Sequence, residues 1–172
     1  MAETRSSATR GSRVVGASGR PKPEPSVPER VDDPAAPRRL VSYALQRRAV
    51  LQNLYSGKVF NGFDICDADP YLLRAAKFHG VLSDDSCPVC RLAGEDVPLT
   101  HVTYAYGDQL GHVSGSAMDP DRLPDLAIRH GEFRVYVVEV CRSCHWNHLV
   151  VSYVLGDGQP RKAPPKPRDL LD

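Results

Sequence analysis

The chain of 172 residues, 41% of them hydrophobic and 25% charged, is long enough for one compact domain flanked by tails. No stretch approaches 18 consecutive apolar residues, so we expect no membrane-spanning helix. The formal net charge of +1 hides a split: ten basic and five acidic residues in 1–57, eight and fourteen in 58–157, and four and two in 158–172. An acidic middle is a poor match for phosphate backbones, which leaves only the basic ends to contact nucleic acid.

Both termini have the composition of disordered chain. Residues 1–38 are rich in Pro, Ser, Gly and Arg and contain no aromatic residue, and residues 158–172 are rich in Pro and Lys. Such segments cannot bury enough apolar area to offset their ordering entropy, so we predict two disordered tails around a folded domain at 39–157. The N-terminus lacks the apolar run of a secretory signal, and we therefore expect a cytoplasmic protein.

The first predicted element is a helix over residues 39–56. Its apolar side chains follow a broken 3.6-residue period, and Gly57 supplies a natural stop. Three arginines lie off that apolar stripe and form a basic face of the helix: Arg39, Arg47 and Arg48.

A second predicted helix has stronger boundary signals. Asp69 can cap its first turn, Pro70 suits the first helical position, and Gly80 follows the helix body at Tyr71–His79. The two helices together predict an N-terminal helical hairpin.

Three strands are predicted in the second half of the chain. Leu99–Tyr106 is rich in Thr, Val and Tyr, whereas Phe133–Val140 and Asn147–Leu155 are almost continuously apolar and β-branched. Continuous apolar runs are typical of strands that are covered on both faces. Between the first two strands we predict a loop at 111–115 and a short helix over about 119–130.

Two Cys-x-x-Cys steps carry the clearest chemical signal. Each step can aim two thiolates at one point, and two steps supply the four soft ligands of a closed tetrahedral zinc site. Fifty residues separate the pairs, which costs little because loop-closure entropy grows only logarithmically. A closed site has no position for substrate or water, so we expect structural Zn²⁺ and no enzymatic activity. The predicted metal ligands are Cys87, Cys90, Cys141 and Cys144.

The predicted fold class is α+β, with an N-terminal helical hairpin followed by a zinc-ribbon-like three-stranded antiparallel sheet and disordered tails. A three-stranded sheet has little core of its own, so the metal would contribute directly to folding. Disulfides are the weaker interpretation in the absence of a secretory signal. The string from Cys141 to His145 also matches a haem-attachment motif, but haem attachment requires export and would leave Cys87 and Cys90 unused.

Several other residues have both a structural and a functional interpretation. Cys66 is expected to be a small buried side chain, with a spare metal ligand or a redox-sensitive thiol as the alternative. Trp146 is expected to pack in the core, with an exposed partner anchor as the alternative. Carboxylates around Cys66 lack calcium-loop spacing, so we expect a helix cap and solvated side chains: Asp64, Asp67 and Asp69. Three histidines are candidates to lie near the metal: His101, His145 and His148.

Four tyrosines are expected to share one face of the sheet: Tyr104, Tyr106, Tyr136 and Tyr153. Aromatic side chains on a sheet can stack nucleobases. Only Arg134 is interleaved with them on the strands, so a place in the sheet core is the favoured interpretation.

Several segments resemble an uncharacterised family of small actinobacterial zinc-ribbon proteins. The likeness rests on residues 66–76, 87–90, 99–108, 131–141 and 146–149 and covers roughly residues 40–156. It implies a bacterial cytoplasmic protein and no particular reaction. Members of that family tend to have glycine after the last cysteine, where this chain has His145. The resemblance therefore leaves open whether a histidine lies near the metal.

Two classes of function remain from the sequence. The first is a non-enzymatic zinc-binding adaptor or regulator that docks on a larger cytoplasmic assembly, for which transcription or translation machinery is a candidate. The second is a nucleic-acid-binding regulator that uses the basic tails, and a zinc–thiolate redox switch is a third and weaker alternative. We expect a protein partner, with nucleic acid as the alternative, and neither a membrane nor a small-molecule substrate.

Overall fold

The computed structural model describes residues 33–57, 65–92 and 99–159, so most of both predicted tails lies outside the described residues. The strands are β1 (Arg38–Ser42), β2 (Val81–Leu82), β3 (Leu99–Tyr106), β4 (Ser116–Met118), β5 (Phe133–Cys141) and β6 (Asn147–Leu155). The helices are α1 (Ala44–Tyr55), α2 (Pro70–His79) and α3 (Leu123–Arg129). Within the described ranges, no helix is both long and apolar enough to cross a bilayer.

The described strands form one antiparallel sheet in the order β1-β6-β5-β3-β2, with β4 paired to β3 as well. Its centre is the three predicted strands, which the structure confirms. β3 and β5 pair continuously from Leu99 opposite Cys141 to Tyr106 opposite Arg134. The predicted count of three strands is wrong for the described residues, because β1, β2 and β4 add short edges of two to five residues.

The predicted helix over 39–56 begins too early. Residues Arg38–Ser42 form β1, which pairs with β6 through Val41 opposite Ser152, and α1 starts only at Ala44. The free edge of β6 offers these residues backbone hydrogen-bond partners. Because β6 is distant in sequence, the local helical pattern cannot predict this pairing. Gly57 does follow the helix, with a positive φ of 70°.

α2 begins and ends where the sequence predicts. The Asp69 carboxylate accepts a hydrogen bond from the Tyr71 amide at 2.7 Å, and Pro70 occupies the first turn. Gly80 follows the helix for a reason other than a left-handed cap, because its φ is −81°. A Cβ at Gly80 would lie 2.1 Å from Cγ2 of Thr100, so the glycine allows the end of α2 to approach β3 closely.

The predicted short helix is divided in two. A 3₁₀ turn at Pro120–Arg122, capped by the Asp119 carboxylate at 3.0 Å, leads into α3. Pro124 lies in the first turn of α3, where the missing amide proton costs no helical hydrogen bond. α3 packs over one end of the sheet with Phe133 and Val135.

The two faces of the sheet carry different helices. Side chains alternate along β5, so Val140 packs with α2 whereas Cys141 packs with Leu51 of α1. α1 contacts β6, and α2 contacts β3 and β5. The predicted helical hairpin is therefore not confirmed, because the sheet separates the two helices.

A buried carboxylate links α1 to the sheet. Oε1 of Glu139 accepts hydrogen bonds from Nε of Arg47 at 2.5 Å and from the indole Nε1 of Trp146 at 2.9 Å. The Glu139 side chain is only 5% exposed, so its charge depends on these donors in place of water. Arg47 is thereby engaged inside the fold.

Replacement of Glu139 by Ala should destabilise the fold by about 3 kcal/mol, because it leaves the guanidinium and the indole N–H without their acceptor. Urea unfolding followed by Trp146 fluorescence measures the change. The matched control is Asp125→Ala, which removes an exposed partner of Arg129 and should cost about 0.5 kcal/mol or less. Equal losses in the two variants would contradict a structural role for the Glu139 carboxylate.

Candidate metal centre

The two Cys-x-x-Cys steps fold into turns with the same backbone hydrogen bonds. In each turn the amide after the second cysteine donates to the carbonyl of the first cysteine, and the amide of the first cysteine donates to the carbonyl five residues later. The bonds are Arg91 to Cys87 at 2.9 Å and Cys87 to Leu92 at 3.1 Å, and His145 to Cys141 at 2.9 Å and Cys141 to Trp146 at 2.8 Å. The chain thus builds one ligand-presenting turn twice.

The residue after each turn has a left-handed backbone. Arg91 has a φ of 59° and His145 a φ of 66°, a region that favours glycine. This conformation gives a physical reason for glycine at that position. The chain reverses there while the amide of the same residue donates to the carbonyl of the first cysteine. The His145 side chain itself is exposed.

The structure brings the four predicted ligands together. The Sγ atoms of Cys87 and Cys144 lie 3.6 Å apart, those of Cys90 and Cys141 lie 3.7 Å apart, and all four fall within 4.8 Å of one another. A tetrahedron with Zn–S bonds of about 2.3 Å has S–S edges of roughly 3.8 Å. The observed spacing fits a tetrahedral metal ion, and its identity as zinc stays a prediction.

The amides of the turns also point at sulfur. The Leu92 amide donates a hydrogen bond to Sγ of Cys90, and the Trp146 amide donates to Sγ of Cys144. Such bonds favour the thiolate, which is the form that binds metal. The symmetry of the two turns therefore extends to how each stabilises the negative charge of its second cysteine.

Burial opposes that charge when no cation is present. It raises the pKa of Cys87 to about 11 and raises the pKa of Cys144 further. Burial would also raise the pKa of Cys90, but hydrogen bonds from the Leu92 amide and the neighbouring thiols bring it below its usual value. Four thiolates this close repel one another, so they require a cation. Metal binding must accordingly displace protons.

Apolar packing closes the site. Cys87 and Cys141 are fully buried and pack with Leu51, Leu99 and Trp146. Trp146 is 1% exposed and stacks on His148 at 5.8 Å between ring centroids, so it packs in the core and offers no partner anchor.

Cys66 lies beside the four ligands without joining them. It is half-buried and packs in the same cluster as Cys144. Burial raises the pKa of Cys66. Its place near the metal could not be read from spacing, since no Cys-x-x-Cys step includes it.

The remaining candidates do not belong to the four-cysteine group. Among the described residues, the group consists of four cysteines and includes none of the candidate histidines His101, His145 and His148. Asp69 caps α2, and Asp67 accepts a hydrogen bond from the Asn147 amide. Asp64 lies outside the described residues.

The chain belongs to the family of unknown function DUF5318, whose model matches residues 35–169. Two relatives are the uncharacterized proteins Rv0049 of Mycobacterium tuberculosis and Mb0050 of Mycobacterium bovis. Each is 52% identical over 124 residues, which covers 72% of this chain and 87% of the relative. No solved structure matches the chain. The predicted resemblance to an uncharacterised bacterial family is confirmed.

The purified protein should contain one zinc ion per chain. Elemental analysis measures the metal, and zinc uptake by the apo-protein at neutral pH should release about four protons, detected with an indicator dye, because free thiols are largely protonated there. Affinity should fall as the pH is lowered, since protons compete for the thiolates.

Matched variants assign the ligands. Cys141→Ser should lose the metal and unfold, whereas Cys66→Ser should keep one equivalent and stay folded. Less than half an equivalent of metal in a folded, untreated sample would contradict the site.

Proposed function

We propose that this protein is a non-enzymatic adaptor or regulator, stabilised by structural zinc, that docks on a larger cytoplasmic assembly such as the transcription or translation machinery. The observation that carries the proposal is the closed group of four cysteine sulfurs, all within 4.8 Å. A catalytic zinc keeps an open position for water or substrate, whereas four thiolates complete the tetrahedron. In this proposal the metal stabilises the fold, and the partner binds at the protein surface.

The engagement of the arginines favours a protein partner over nucleic acid. Arg47 donates to buried Glu139, and Arg39 lies in β1, 3.8 Å from a carboxylate oxygen of Glu132. Of the three arginines expected on a basic helix face, Arg39 and Arg47 are thus paired with carboxylates, which leaves Arg48. Residues 58–157 also carry six more acidic than basic residues, which is a poor match for a phosphate backbone.

Affinity purification of the full-length chain from its native cell, with and without nuclease, tests the docking role. A protein partner should be recovered in both preparations and should be lost with Cys141→Ser, which is expected to lose the metal and unfold. Retention that disappears with nuclease and falls steeply with salt would support the nucleic-acid regulator instead.

One contact supports a redox switch as the second candidate. Cys66 packs in the same apolar cluster as Cys144, so a spare thiol lies close to a predicted metal ligand. Hydrogen peroxide would take two electrons from this pair, one proton from the Cys66 thiol and one proton from solvent, forming a Cys66–Cys144 disulfide and two water molecules, with release of the metal from Cys144.

Zinc release under mild peroxide, followed with a chromogenic chelator, tests the switch. Wild-type protein should release zinc several times faster than Cys66→Ser, because the variant has no resolving thiol. Equal rates would assign release to slow oxidation of the ligands alone.

A further inference from the structure

The face of the sheet that carries α2 is only partly covered. Beside the helix lies an open groove of about 590 Å³, here called the tyrosine groove. Its lining includes Leu72, Tyr104, Tyr106, Tyr136, Val138 and Leu149. The metal and α1 occupy the opposite face, so the groove is separate from the cysteine site.

The floor and wall of the groove are apolar and held in place by secondary structure. Tyr104 and Tyr136 are direct cross-strand partners on β3 and β5, and the Tyr106 and Tyr136 rings meet edge to face at 5.6 Å. Tyr106 is 48% exposed, although it lies on the central strand β3. Rigid aromatic side chains on a packed sheet lose little entropy on binding, as in the anchor pockets of protein interfaces.

The outer surface of α2 extends the aromatic surface. Tyr71 and Phe78 are 75% and 66% exposed, and a smaller hollow between them and the sheet shares Tyr104 with the groove. The Arg74 guanidinium lies over the Tyr71 ring at 5.4 Å, and the Lys77 ammonium lies over the Phe78 ring at 5.3 Å. Each of these two exposed rings therefore has a cation over its face.

Three cations lie beside the groove on α2 and β5, although Asp108 and Glu132 line the neighbouring hollow that Tyr106 and Arg134 share. Among the described residues, no carboxylate lies within ion-pair distance of Arg74, Lys77 or Arg134, which stands opposite Tyr106 on the same face. Asp67, near the Asn147 end of the groove, is already hydrogen-bonded to the Asn147 amide. The rim thus offers cations for an incoming carboxylate.

We propose that the tyrosine groove binds a short peptide segment of a partner protein, with an aromatic or aliphatic anchor flanked by Asp or Glu. The proposal rests on the adaptor function and names the chemistry of its partner. The anchor side chain fills the apolar groove, and the flanking carboxylates meet Arg74, Lys77 and Arg134.

The lining favours a peptide over single-stranded nucleic acid. Sheets that stack bases combine aromatic side chains with cations along the phosphate path, whereas here Leu72, Val138 and Leu149 supply aliphatic walls. Arg134 is the basic residue on the strand segments that line the groove. An apolar slot with charges confined to its rim suits one buried side chain better than a polyanionic backbone.

Selection of a phage library of random 12-residue peptides against the zinc-loaded, full-length protein tests the groove. Enriched peptides should share an aromatic or leucine anchor with neighbouring Asp or Glu. Titration of ¹⁵N-labelled protein with the best peptide should shift amides around Tyr104 and Tyr136 and leave those around Leu51 unchanged. A fifteen-nucleotide oligothymidine is the competing probe.

Two surface variants and one control decide the outcome. The double variant Arg74→Glu with Lys77→Glu, and Tyr106→Ser, should each weaken the peptide at least tenfold. Arg48→Glu, an exposed charge change on the opposite face, should leave affinity within twofold. Zinc content and urea midpoint identify any variant that fails to fold.

Three results would overturn the proposal: basic consensus peptides, unchanged affinity in both groove variants, or oligothymidine binding that displaces the peptide. A partner from the native cell that binds the groove variants as well as wild type would retain the adaptor function and reject the groove. Peptide binding to the groove with no cellular partner recovered would reject the adaptor function alone.

Discussion

The meeting of four cysteine sulfurs within 4.8 Å of one another is the constraint on which the rest of the structure depends. The first turn follows β2 and leads toward β3, while the second turn is itself the connection between β5 and β6. Leu99 at the start of β3 lies opposite Cys141 at the end of β5, so the metal position and the register of the central strands are fixed at the same point. A shift of one residue in that pairing would move Cys141 to the opposite face and separate the ligands.

The metal position also organises the core around it. Leu51 of α1 reaches the cysteine cluster, and Arg47, one turn earlier, reaches Glu139, which in turn holds Trp146. One helix is therefore attached to the sheet by apolar packing and by a buried ion pair that need the same alignment. With this face used for the fold, the opposite face beside α2 is left to present the tyrosine groove.

The long elements could be predicted because their information is local. α2 has its own cap and first-turn proline, and the three central strands have continuous β-branched runs. The short strands could not be predicted in this way. β2 has two residues and β4 has three, and both exist because β3 offers an unpaired edge. β1 was assigned to a helix for the same reason, since its partner β6 lies more than a hundred residues later.

The sequence by itself determined which four cysteines meet, because a Cys-x-x-Cys step carries its geometry within one turn and two such steps match a tetrahedral metal site. Only the tertiary structure decided which side chains meet elsewhere. Tyr104, Tyr106 and Tyr136 line one groove, whereas Tyr153 stands opposite Val135 and packs on the other face with the α3 core. Cys66 likewise joins the cluster that contains Cys144 only after folding. The physical reason is that the face of each strand residue depends on inter-strand register, including the irregularity between Val137 and Val138, and register is set by long-range pairing.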